Sequence, residues 1–164
     1  MTDILFRAAL PDELPAIIAL LQDDVLGQRR EADAGDPAYR AAFDAIAADP
    51  NQILVVAIAN ERVVGTMQLS FLPGLSRRGA WRCQIEAVRV AAALRSAGIG
   101  ARMIGWAIDR ARERSCAQVQ LTTDRQRLDA HRFYDRLGFA ASHFGYKLVL
   151  PVVAESPDSA PAAD

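Results

Sequence analysis

Residues 84–106 read Q-I-E-A-V-R-V-A-A-A-L-R-S-A-G-I-G-A-R-M-I-G-W, and the succession of patterns within them decides the fold. Ile85, Val88 and Val90, with Ala87 among them, make the short β-branched run that a buried strand requires. Arg95-Ser96-Ala97-Gly98-Ile99-Gly100 then turns the chain. Ile99, Met103 and Trp106/Ala107 recur at helical spacing, so a helix of about residues 98–114 follows. Strand, two-glycine turn and helix N-terminus together form an anion site. The first amides of a helix have no internal partner, and the macrodipole adds positive potential there. Gly98 and Gly100 lack the Cβ atoms that would hold a phosphate off the backbone.

The familiar phosphate-binding signatures do not account for this turn. A dinucleotide fold needs G-x-G-x-x-G and a P-loop needs G-x-x-x-x-G-K-[ST], whereas the chain's only lysine is Lys147.

Elements on both sides complete the pattern. Residues 4–8 give a first strand. Pro11 to Glu13 open a helix whose Leu14, Ile17, Ile18 and Leu21 form one apolar face. Residues 23–37 are polar, hold two glycines and end in proline, which predicts a loop. Its acids Asp23, Asp24, Glu31, Asp33 and Asp36 either meet a cationic substrate or are simply solvated. Tyr39 to Ala48 is a second helix with Tyr39, Phe43 and Ile46 inward. Gln52 to Ala59 is almost continuously apolar, hence a central strand, and Asn60-Glu61 turns it into a hairpin partner at residues 63–71. A loop with a basic tip, Arg77 and Arg78, leads to the strand Trp81–Val90. After the central helix, residues 117–122 form a parallel neighbour of that strand, because a crossover helix joins the two. Leu128 to Leu137 is the last helix, closed by Gly138. Residues 139–150 are expected as a final strand with Phe144, Tyr146 and Leu148 on one side.

At 164 residues the chain makes one domain, residues 1–150, followed by a Pro-, Ala- and acid-rich tail, residues 151–164, expected to be disordered. Hydrophobic residues at 51% and charged residues at 24% belong to a globular protein. A net charge of −1 provides no basic field for nucleic acid. No signal-peptide pattern and no apolar run near 18 residues is present, so neither a membrane span nor secretion is expected and the protein is placed in the cytoplasm. Cys83 and Cys116 lack metal-ligand spacing and read as free buried thiols, with no metal site.

Two segments carry a family resemblance. Arg95-Ser96-Ala97-Gly98-Ile99-Gly100 resembles the Arg/Gln-x-x-Gly-x-Gly/Ala signature of the GNAT acetyltransferase superfamily. Ala130-His131-Arg132-Phe133-Tyr134-Asp135-Arg136-Leu137-Gly138-Phe139 resembles that family's A-x-x-F-Y-x-x-x-G-F. Ala92 departs from the pattern, since many members carry proline there, and the change only removes some stiffness from the turn. The resemblance covers roughly residues 3–150. It implies the GNAT fold, an α/β architecture with a mixed, mostly antiparallel sheet and helices on both faces.

The resemblance also implies acetyl-coenzyme A as co-substrate and a small-molecule or protein amine as acceptor, and it leaves room for a homodimer. The backbone of Val88 and Val90 would pair with the pantetheine arm. The amides of Arg95, Ser96, Ala97, Gly98, Ile99, Gly100 and Ala101 would hold the pyrophosphate, with the Arg95 side chain helping and Asp129 touching the coenzyme. Acyl transfer to an amine needs the ammonium deprotonated, the oxyanion stabilised and the thiolate expelled. Glu86 is the candidate base, with Gln84 orienting substrate or water. In a regular strand residues 84, 86, 88 and 90 share one face. Tyr134 is the candidate acid for the leaving thiolate, and His131 is structural or substrate-side rather than catalytic. The alternative is an acyl-coenzyme A sensor or regulatory module without turnover.

Overall fold

A computed structural model describes residues 3–23 and 31–150. The expected tail (151–164) and the middle of the expected loop (24–30, with Asp24) lie outside them. Strands β1 (Leu5–Ala8), β2 (Gln52–Ala59), β3 (Arg62–Leu72), β4 (Trp81–Val90) and β5 (Cys116–Leu121) lie side by side in chain order. The first four are antiparallel, and β5 runs parallel to β4. The mixed sheet matches the expected α/β class. In β2, Val55, Val56 and Ala57 are all 0% exposed, because both faces are covered. That explains why its sequence shows no alternation. Asn60 (φ 48°) and Glu61 (φ 61°) take left-handed conformations, the geometry that lets a two-residue turn follow the twist of a hairpin.

Helix α1 (Leu14–Gln22), entered through a 3₁₀ turn at Pro11–Glu13, and helix α2 (Pro37–Ala48) cover one face with Ile17, Ile18 and Phe43. Asp36 caps α2 by accepting the Ala38 amide at 2.9 Å, and Pro37 supplies the preset first φ. Helix α3 (Ile99–Glu113) covers the other face. Its Ile99, Met103, Ile104, Ala107 and Ala111 join Met67, Leu69, Phe71, Cys83 and Ile85 in one core cluster. The helix lies so close that a Cβ on Gly65 would stand 2.9 Å from the Met103 sulfur and 3.0 Å from the Arg89 carbonyl. Helix α4 (Leu128–Arg136) follows β5 and packs Phe133 against the start of α3.

Cys83 and Cys116 are free thiols, as expected, and burial pushes Cys83 up to about 11. Among the described residues no helix is long and apolar enough to cross a membrane. The expected final strand is not formed. Residues 139–150 belong to no sheet, and Phe144, Tyr146 and Leu148 are 89%, 92% and 87% exposed. Alternation shows which face of a segment favours burial; it does not say what covers that face.

Candidate active site

β4 and β5 pair only as far as Ile85 and Leu121. Beyond Ile85, β4 continues without its parallel neighbour, and the seam opens at Glu86. A bulge falls at the same place. Ala87 adopts φ 52°, and the register with β3 passes from Gln68↔Glu86 to Thr66↔Arg89, so two residues of β4 oppose Met67. An extra residue inverts the alternation of the strand. The expectation that residues 84, 86, 88 and 90 share a face is therefore corrected. Glu86 lies opposite Gln68, on the face that carries α1 and α2, whereas Val88 and Val90 pack on the core beneath α3. Glu86 is exposed. Ala87 and Gln68 line a largely apolar cavity of about 150 Å³ with Leu14, Ile17, Tyr39 and Phe43.

Gln84 is less available than expected. Its side-chain oxygen accepts from Gln120 Nε2 at 2.7 Å, within a row that continues through Gln118 to Arg77. The basic tip of the β3–β4 loop is thereby tied to β5. The carbonyls of Val88 and Val90 accept from guanidinium groups, Arg89 Nη1 at 2.9 Å and Arg95 Nε at 3.2 Å.

The turn before α3 places its amides unevenly. Those of Arg95 and Ala97 are spent on the carbonyls of Ala92 (3.2 Å) and Leu94 (3.3 Å). The first amide used by the helix itself is that of Arg102, on Gly98 at 3.1 Å. The amides of Ile99, Gly100 and Ala101 thus precede any helical acceptor, and Gly98 caps them in the left-handed region with φ 78°. Open space surrounds the missing Cβ of Gly98. At Gly100 an added Cβ would come within 3.4 Å of the Phe133 ring, about an ordinary contact. The Arg95 side chain turns to the end of α1, where its Nη2 donates to the Asp23 carbonyl at 2.7 Å and carboxylate at 3.1 Å. That carboxylate also takes the Ala92 amide at 3.1 Å.

Sequence reasoning missed this clamp, which joins residues 72 positions apart and leaves no local pattern. It also removes Asp23 from the acids open to a cationic substrate. Glu31 accepts the Tyr39 hydroxyl, and Asp33 and Asp36 accept local amides.

Tyr134 sits in α4 between Phe133 and Phe139, with edge-on ring contacts at 5.1 and 5.8 Å. Burial raises the phenol above its ordinary value, outweighing the opposite pull of Arg127 and Arg89. Tyr134, like Val88 and Val90, packs against the core cluster beneath α3. Asp129 is exposed and paired with Arg132. His131 Nε2 donates to the Asp124 carbonyl at 2.9 Å and holds the β5–α4 loop.

A parallel pair that separates beside a bulge, with a helix N-terminus at the open end, is the arrangement that the resemblance implies for an acyl-coenzyme A site. The model of the acetyltransferase (GNAT) family matches residues 15–139, and the chain belongs to that family. It is 34% identical over 113 residues to the aminoalkylphosphonate N-acetyltransferase of Salmonella typhimurium, covering 69% of this chain and 73% of that one. A crystal structure described as a transcriptional regulator from Bacillus halodurans superposes with a TM-score of 0.86 at 45% identity, covering 90% of this chain and all (100%) of the other. A Trypanosoma brucei acetyltransferase superposes with a TM-score of 0.73 at 25% identity, covering 90% and 100%.

Proposed function

We propose that this acetyltransferase moves the acetyl group of acetyl-coenzyme A to a primary amine by direct attack, with Glu86 as base and Tyr134 as acid. The observation that carries the reading is the end of β4–β5 pairing at Ile85, immediately before the exposed Glu86 and the bulge at Ala87. The opened seam suits a thin pantetheine arm. Unpaired backbone of Val88 and Val90 on that side would bind it as an added strand, once Arg89 and Arg95 release the two carbonyls. The amides of Gly98, Ile99, Gly100 and Ala101 suit the pyrophosphate. The coenzyme supplies an activated thioester, and this chain's residues do the rest. Glu86 takes a proton from the ammonium on the α1/α2 face. The backbone amide at Val88 faces the developing oxyanion. Tyr134, kept protonated by burial, gives its proton to the departing sulfur.

The acceptor enters from the side of the cavity beneath α1 and α2. The Salmonella relative is named for aminoalkylphosphonates, which agrees with a small primary amine as acceptor. The Bacillus halodurans structure, described as a transcriptional regulator, favours a second reading, an acyl-coenzyme A-binding regulatory module. Thiol release from acetyl-coenzyme A across a panel of aminoalkylphosphonates, amino acids, polyamines and peptide amines separates the two. Turnover with at least one amine is expected. Saturable coenzyme binding with no release above the buffer rate on the whole panel supports the regulatory module instead.

A further inference from the structure

Along β4, Arg82, Gln84 and Glu86 alternate with Cys83 and Ile85, which lie in the core beneath α3, so the three polar side chains share the α1/α2 face. Gln118 and Gln120 take the same face of β5, alternating with Val119 and Leu121, and the Gln120–Gln84 bond joins the two rows. Helix α1 packs chiefly on β3 and α2 on β2, so Arg82, Gln84, Gln118 and Gln120 stay half-buried. At the end of this row away from the seam, Arg77 and Arg82 line a polar cleft of about 310 Å³ with Ser76, Trp81, Gln118 and Gln120. No carboxylate lines it among the described residues. Arg77, Arg78 and Gly79 hold φ 51°, 62° and 78°, three successive left-handed residues. Strained backbone of this kind gathers at ligand clamps. It is held here by the Gly74 amide on the Ala80 carbonyl at 3.1 Å and by Arg77 on Gln118 at 2.7 Å.

We propose that this cleft binds an acidic group, carboxylate or phosphate, at the far end of the acceptor whose amine sits at Glu86. The acceptor role rests on the acetyl-transfer reading above; the anion site does not. Arg82 is half-buried and makes no side-chain hydrogen bond or ion pair with a described residue. A guanidinium so placed has lost water without gaining a partner, and its planar fork matches carboxylate and phosphate oxygens. Arg77 gives Gln118 a single hydrogen bond and keeps its other donors for a ligand. Four strand steps separate Arg82 from Glu86, about 13 Å along the sheet. A hydrogen bond at each end leaves about 7 Å between amine and acidic group. That span excludes a compact α-amino acid and fits an extended chain such as 6-aminohexanoate, lying over Gln84 and Gln120.

Calorimetry with inorganic phosphate, under saturating coenzyme A to occupy the α3 amides, tests the cleft without turnover. Binding is expected to weaken about tenfold in Arg82→Gln and also in Arg77→Gln, the second at an exposed position. The acceptor role is read from kcat/KM for 6-aminohexanoate against hexylamine and for 5-aminopentyl phosphate against pentylamine. The wild type is expected to prefer at least one acid-bearing amine by about tenfold, chiefly through KM, and Arg82→Gln to bring that ratio to about one. Phosphate binding that is absent, or equal in all three proteins, overturns the cleft. Acid-bearing amines no better than their neutral partners, or turnover of other amines but of neither pair, overturns the acceptor role. No turnover of any amine, with phosphate binding that depends on Arg82, fails the acetyl-transfer reading and leaves the anion site standing.

Discussion

Glu86 is exposed where the preceding residues of β4, Trp81 to Ile85, are buried or half-buried. A carboxylate there gains nothing from the core, and in the proposed mechanism it would meet an amine arriving on the α1/α2 face. If it accepts the ammonium proton, Glu86→Gln lowers the rate about a hundredfold at pH values where little free amine exists. The deficit shrinks as pH approaches the amine's own pKa. A pH–rate profile of wild-type shape and height would remove Glu86 from the reaction. In the proposed mechanism Tyr134 acts at a different moment, when sulfur becomes a leaving thiolate. Its loss should therefore appear in kcat rather than in binding. Tyr134→Phe keeps both edge-on ring contacts. A roughly hundredfold fall in kcat, about 2.7 kcal/mol, is expected with coenzyme affinity moving less than about threefold. Because burial raises the phenol, any loss of activity through its ionisation belongs above its ordinary value of 10.0. If thermal melts show a destabilised variant with full single-turnover activity, Tyr134 is a packing residue only.

At the scale of the elements, the turn into α3 separates conformation from charge. Gly98 sits at φ 78° with open space where a Cβ would be. A side chain there costs about 1–2 kcal/mol of backbone strain, which a domain of ordinary stability survives. Asn tolerates the left-handed region, so Gly98→Asn is expected to hold acetyl-coenzyme A within about threefold of wild type. Gly98→Glu adds a carboxylate beside the amides and should lose at least tenfold. Equal affinities for the two variants by calorimetry would take the pyrophosphate away from this turn. The turn itself was legible because glycines and helical periodicity are local signals. Its bulged neighbour was not, since Ala87 adopts its positive φ without a residue type that announces it. That one residue reversed the expected faces of Val88 and Val90. Arg95 was misplaced for a related reason: its partner Asp23 is distant in sequence, and guanidinium donors fit many acceptors.

Across the whole molecule, the β2–β3 hairpin and the parallel β4–β5 pair could be read from apolar patterning and the crossover rule, whereas the helices on both faces were what the family resemblance implied. The last segment was not legible. Phe144, Tyr146 and Leu148 carry the pattern of a strand yet lie exposed outside the sheet, because pattern does not say what covers a face. The account rests on one claim about the assembled fold, that the opened seam and the α3 amides form a single acyl-donor site. Hydrogen exchange over the full chain, with and without saturating acetyl-coenzyme A, tests it most directly. Protection is expected at residues 86–90 and 98–102, with the rest of the sheet unchanged. Exchange unaltered at both segments, or protection gathered elsewhere, would contradict it.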